Sequence, residues 1–484
     1  MVIAAALQKD VHPAYGSGNS TASTDEGSVT SSGSYTSSSA SSSASDGASG
    51  RCSFVAGCGN FSIQYNYTCA SIATAIMVSH HGLTGNGLRP DYPQPDWAKT
   101  CLLSVVFIGS VVGMLTMGFL GDFLGIKQAL VLTNSLTMFG AMASALLSWG
   151  SSETVWAVIT ASRFVLGVGV GGNYPLSAAK ASQGGGAEEA VAKAGVAFFW
   201  QGPGSLAPYL FGLVLLALPQ TVPGLTSLQF RMLLGAGALP ALVVLNASLS
   251  EPGGVSVQRP WNLLESIRNP AHWLALIGTA GTWFLFDVAF YGTMVFIPTI
   301  LQSVFGAEQS LRDLAMRATM MSVLGIFGMA LGLIILPKVG PRAMNTWGLA
   351  LASVTFGAFA SVYRRSPEQS VVLFSFLCVS IFVLNMGPGI ATYLLPVEVF
   401  PREVRSTFHG LSAAAAKVGA VVGALLFPII SDRFGVPAVM LTQAAFCATG
   451  ALLSHVAVPS AAAARSVPAK RSAPTKVERA KLVG

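Results

Sequence analysis

Apolar runs of about twenty residues recur almost without pause along this chain, and nothing else constrains its fold so tightly. A bilayer core of about 30 Å is crossed by roughly 20 helical residues. Lipid offers no partner to an open sheet edge, so runs of this length predict helices. Of 484 residues, 52% are hydrophobic and 10% charged, against about 25% charged in a soluble domain. Too few charges remain to cover a soluble surface, and the mean hydropathy is +0.61. The chain reads as an all-α membrane protein. Breaks between runs give twelve transmembrane helices, near residues 58–80, 98–120, 129–149, 154–178, 192–218, 228–249, 271–300, 315–336, 344–363, 371–397, 407–430 and 436–457. The first, "NFSIQYNYTCAS", is polar for lipid and is kept because a pore-facing span tolerates polar residues.

The spans divide into two six-helix halves, 56–250 and 271–457, joined by a central loop, 251–270. Residues 1–55 are a Ser-rich tail with too little apolar surface to offset ordering entropy. Residues 458–484 form a basic tail. An even span number places both tails on one side. Lys127, Lys180, Lys193, Arg259, Arg268, Lys338, Arg342, Arg402 and Arg405 then share that side, which the positive-inside bias makes cytoplasmic. Arg89, Lys99, Arg364 and Arg365 fall opposite. The net charge of +7 lacks the aromatic platform of a nucleic-acid binder. The six cysteines show no metal or disulfide spacing, and His80 and His81 adjoin a polar loop. No nucleophile–base set or phosphate loop is present, so no cofactor or metal is expected and transport outranks catalysis.

Polar residues inside spans therefore carry the functional signal. In "TAGTWFLFDVAFYG", Trp283, Asp287 and Tyr291 recur every four residues and share one helical face. A mid-membrane carboxylate costs about 2.5–3.5 kcal/mol on insertion scales, so Asp287 must face a polar cavity or a partner. Lys417 lies about as deep in "STFHGLSAAAAKVGA" and is the natural partner, unless its long stem snorkels to the interface. In span 4, Arg163 and Tyr174 stand close to three turns apart. Gly167 and Gly171 between them form a GxxxG pattern, which for the glycines alone reads as close helix packing. Gln201 adjoins a Gly-Pro-Gly break in span 5.

The turn "GFLGDFLGIK" resembles the G-x-L-x-D-x-x-G-R/K loop of the major facilitator superfamily, with Asp122 and Gly125 at its defining positions and the cation, Lys127, one residue later. Asp122 would cap the next helix or pair across the bundle. The turn recurs as "ILPKVGPRAMN", without its aspartate. Within that superfamily, three further strings resemble the phosphate:proton symporters: "GVGVGGNYPLSAAK", "WFLFDVAFYG" and "GPGIATYLLPVEVFPREVRSTFHGLSAAAAKVGA". The resemblance implies the major facilitator fold. It also implies an oxyanion site of Tyr174, Gln201, Trp283, Asp287 and Tyr291 with Lys417 as basic partner, and Asp287 as proton coupler. Deprotonation of Asp287 would favour release of the anion. Glu398 and Arg405 would join a cytoplasmic cluster closing the inward side, and Arg163 would belong to the gating set.

Three acids typical of the family are absent, replaced by Ile63, Asn66 and Asn173, and its asparagine after Gly-Pro is Gly389. Asn173 is expected to bind the oxyanion without taking up a proton. Aligning Gly125 with Gly340 carries Asn173 onto the "GPG" of span 10, which would set the two positions across one cavity. The expected partners are inorganic phosphate or a similar oxyanion, protons and the lipid bilayer, for a monomer in the plasma membrane. A carrier of another small solute, an uncoupled facilitator and a transport-dead nutrient receptor are the alternatives.

Overall fold

The computed structural model describes residues 38–78, 92–183, 186–219, 224–251, 268–306 and 310–459. The tails before 38 and after 459, most of the central loop, and His80 and His81 lie outside the described residues. The first half comprises α1 (Ser38–Val78), α2 (Asp96–Phe123), α3 (Ile126–Leu146), α4 (Ser152–Ala181), α5 (Ala187–Phe199), α6 (Gln201–Leu216), α7 (Leu225–Gly235) and α8 (Ala238–Leu249). The second comprises α9 (Pro270–Phe305), α10 (Leu311–Arg365), α11 (Ser370–Leu384), α12 (Ile390–Val399), α13 (Arg405–Phe434) and α14 (Val436–Ala457).

Among the described residues, nine helical stretches are long and apolar enough to cross a membrane. Three more crossings fall outside that count for visible reasons. Helix α1 carries Asn60, Ser62, Gln64 and Asn66, all buried. The α5/α6 pair is interrupted at Trp200. Helix α10 is two crossings merged over a bend at Gly340 (φ 76°, ψ 161°). The total is twelve, in an integral multi-pass membrane protein. Helix α1 begins at Ser38, inside the stretch the sequence assigns to the tail.

Packing follows the small residues, because apolar side chains gain little by leaving lipid for each other and close backbone approach decides. A Cβ on Gly113 of α2 would collide with Val168 O of α4, and one on Gly171 of α4 with Ser110 O of α2. Gly167 meets Val106 O in the same crossing, so the span 4 glycines are a packing stripe. In the second half, Gly328 and Gly332 of α10 press on the backbone at Phe382 and Met386. Gly328 follows Gly113 by 215 positions, the separation of Gly340 from Gly125. Gly125 (φ 100°) and Gly340 (φ 76°) both adopt backbone that disfavours side chains. The two halves thus repeat at turn and crossing alike.

The halves meet along α2 and α13. There Gly118 and Gly121 face Ser406, and Gly410 lies against Gly118. Between the halves sits the main core, drawing Ile63, Tyr67 and Tyr174 from one side and Trp283, Phe286 and Tyr393 from the other.

Candidate functional site

Two local departures from regular helix and one capped helix start aim side chains at this interior. Trp200 ends α5, so Gln201 opens α6, with Pro203 in the first turn where a missing N–H costs nothing. Asn385–Gly389 forms a π-helical turn around Pro388, between α11 and α12. Such widened turns recur at functional sites, and this one sets Asn385 and Gly389 on the cavity wall. Asn269 caps α9, accepting from the Ala271 amide at 3.0 Å, and the regular helix that follows presents Trp283, Asp287 and Tyr291 together.

These residues enclose a central cavity of about 20 Å³, with Tyr174, Gln201 and Lys417 completing the polar wall and Phe198, Phe286, Phe290 and Met329 the apolar one. That volume is room for about a water. Lys417 Nζ donates to Asp287 Oδ2 at 2.7 Å, and both side chains are 1% exposed. Among the described residues, Asp287 Oδ1 has no hydrogen-bond partner. The Lys417 ammonium lies 3.7 Å from the Tyr291 ring centre, 5.0 Å from that of Tyr174 and 5.4 Å from that of Tyr67. Three ring faces and one carboxylate thus hold the cation out of water. Tyr174 and Tyr291 share a hydroxyl contact of 3.1 Å. Tyr291 donates to Gln64 Oε1 at 3.2 Å. Gln201 Nε2 donates to Asn60 Oδ1 at 2.8 Å, and Asn60 Nδ2 reaches Tyr393 Oη at 3.4 Å across the halves.

Asn173 does not line this cavity. Its amide and that of Asn134 in α3 bond reciprocally, at 3.1 and 3.2 Å. One residue along a helix is a 100° turn, so Tyr174 and its neighbour look in different directions. Of the two positions expected to face each other across one cavity, the "GPG" turn lines this one, at Gly389, and Asn173 does not. Arg163 is also placed elsewhere. Fully buried, it donates to Asn66 O and to Cys69 Sγ at 3.5 Å, tying α4 to α1 within one half.

The basic end holds the rest of the gating set. Asp122 caps not the next helix but α13 in the opposite half, accepting from Thr407 N at 2.6 Å and Thr407 Oγ1 at 2.7 Å. Arg405 donates to Phe400 O at 3.3 Å and across the halves to Ser182 Oγ at 3.2 Å. Lys127 donates to Glu251 O, and Lys180 pairs with the Glu251 carboxylate at 2.8 Å. Gly125 opens α3, and Glu398 sits half-buried in the last turn of α12.

Sequence reasoning missed Gln64, Asn385, Tyr67 and His409. The last is fully buried, with Nε2 3.1 Å from Tyr393 O and its ring edge-on to Trp283. Its "TFHG" context was visible; Gln64 and Tyr67 were hidden in a span without clear periodicity.

A family model described as sugar (and other) transporter matches residues 52–252 and 258–465. The inorganic phosphate transporter PT2 of Toxoplasma gondii is 34% identical over 79% of this chain and 67% of its own length. The inorganic phosphate transporter 1-4 of Arabidopsis thaliana is 28% identical over 78% of this chain and 82% of its own. Among solved structures, the proton:xylose symporter XylE superposes with a TM-score of 0.69 at 15% identity, covering 86% of this chain and 96% of that one. At that identity the likeness is one of fold.

Proposed function

We propose, from the premise that this chain belongs to the sugar (and other) transporter family, that it carries inorganic phosphate across a membrane by alternating access, coupled to protons through Asp287. The observation that carries the reading is the buried Asp287–Lys417 pair with one carboxylate oxygen free, in a cavity walled by neutral donors. As it stands the pair is neutral, and an entering anion must compete with Asp287 for Lys417. A proton taken up on Oδ1 cancels the carboxylate charge, weakens its hold on Lys417 and removes its repulsion of the anion. Lys417 and Tyr174 then face the oxyanion as donors, while Tyr291, Trp283 and Gln201 complete the wall. Loss of the proton on the other side restores the ion pair and expels the anion.

The named phosphate transporters among its relatives support this substrate, and the basic end supports a cytoplasmic placement of Asp122 and Arg405. A plasma-membrane monomer is the simplest setting. Radiolabelled phosphate uptake into proteoliposomes, with and without an imposed inward proton gradient, is the test. Uptake rises with the gradient on this reading. Uptake indifferent to it removes the coupling and spares transport, and absence of any phosphate flux removes the whole reading. In Asp287→Asn, which cannot take up a proton near neutral pH, phosphate binding persists while gradient-driven accumulation falls by at least about tenfold.

A further inference from the structure

Three cavities meet at one side chain. Gln64 lines the central cavity beside Asp287 and Lys417. It also lines a smaller one, about 10 Å³, with Gln201, Ser205 and Asn385, and a third, about 40 Å³, with Tyr67, Ser71, Tyr209 and Met294. Ser71, Tyr209 and Met294 also border a fourth, lined further by Pro298 and Leu314 near the link from α9 to α10. The row runs from the transport site towards the end of the bundle opposite Asp122, and Gln64 stands at its inner doorway.

The hydrogen bonding of Gln64 is one-sided. It is 6% exposed, and its Oε1 accepts from Tyr291. Its Nε2 has no partner among the described residues and is not sealed against protein. An amide used as internal glue looks different: in the Asn173–Asn134 pair both oxygens and both nitrogens are engaged. Buried polar groups are as a rule paired, so an amide nitrogen left facing a cavity marks a donor for a guest.

We propose that Gln64 is a substrate-binding, specificity-determining residue: its Nε2 hydrogens bind an oxygen of phosphate entering from the outer cavities, while Oε1 holds the Tyr291 hydroxyl. The assignment rests on the phosphate reading above. A neutral carboxamide suits the position, since it donates to an oxyanion without offering the proton-binding site that Asp287 already supplies.

The test is the concentration dependence of radiolabelled phosphate uptake in proteoliposomes for the wild type, Gln64→Ala and Gln64→Glu. Gln64→Ala raises KM by about tenfold, as loss of a hydrogen bond to a charged group implies, with Vmax within about twofold. Gln64→Glu keeps the shape and the acceptor for Tyr291, so it guards against a folding failure in the alanine variant. Its carboxylate opposes the anion at neutral pH, and KM, taken as a ratio to wild type at each pH, recovers as the pH falls and the acid becomes a donor. That pH-dependent recovery, absent from the alanine variant, is a readout that a packing role would not produce. KM within twofold of wild type in both variants, or Vmax loss at unchanged KM, overturns the assignment while phosphate transport stands. A wild type that moves no phosphate removes the phosphate reading itself.

Discussion

At the scale of single residues, the chemistry rests on a buried pair whose members cannot be removed one at a time. Truncating either Asp287 or Lys417 strands the other charge in the interior, at a cost of about 3–5 kcal/mol. Thermal unfolding of detergent-solubilised Asp287→Ala and Lys417→Ala should each show that loss, and the double variant should lose much less than the sum. Additive losses would mean that the two charges do not support each other. This pairing was legible in the sequence, because in a 10% charged chain one deep acid has few deep cations to choose from. Helical spacing likewise placed Trp283, Asp287 and Tyr291 on one face. The neighbour of Asn173 was not legible, since which helix lies 100° round from Tyr174 depends on how α3 packs. Gln64 was equally hidden: in α1, polar residues on every side erase the periodicity that would say which way each one points.

At the scale of elements, run length gave the spans, while glycine contacts set their separations. Gly171→Val forces a side chain into the backbone of α2 and should cost about 1–3 kcal/mol, read as a lowered midpoint in the same unfolding assay. Gly186, whose Cβ would meet nothing, supplies the control, and Gly186→Ala should leave the midpoint unmoved. Equal effects at both positions would dismiss the packing argument. The break before Gln201 could be anticipated from Gly-Pro-Gly. The π-helical turn at Asn385–Gly389 could not, because a proline within a span is compatible with a kink, a bulge or an unwound segment, and only tertiary contacts choose among them.

At the scale of the whole molecule, the halves are tied at the basic end by Asp122 to Thr407 and Arg405 to Ser182, and around the central cavity by Tyr291 to Gln64 and Asn60 to Tyr393. Alternating access requires each tie to break in turn. Asp122→Ala removes the cap on α13 and should bias the protein towards opening at the basic end. Maleimide labelling of an introduced Ser406→Cys, fully buried at that seam, should then speed up by several-fold, in keeping with the loss of about 1 kcal/mol expected for a helix cap. Unchanged labelling would show that the cap does not hold the seam. Twelve spans and two halves were legible from sequence; the partner of Asp122 was not, because it lies in the other half, far along the chain. The seam itself, Gly118 and Gly121 against Ser406 and Gly410, has a kinetic meaning. Surfaces without large side chains have no knobs to withdraw from holes, so their parting demands no concerted rotamer changes. At this seam the barrier to parting is thereby left to a few polar contacts, and a single carboxylate can act as its timing element.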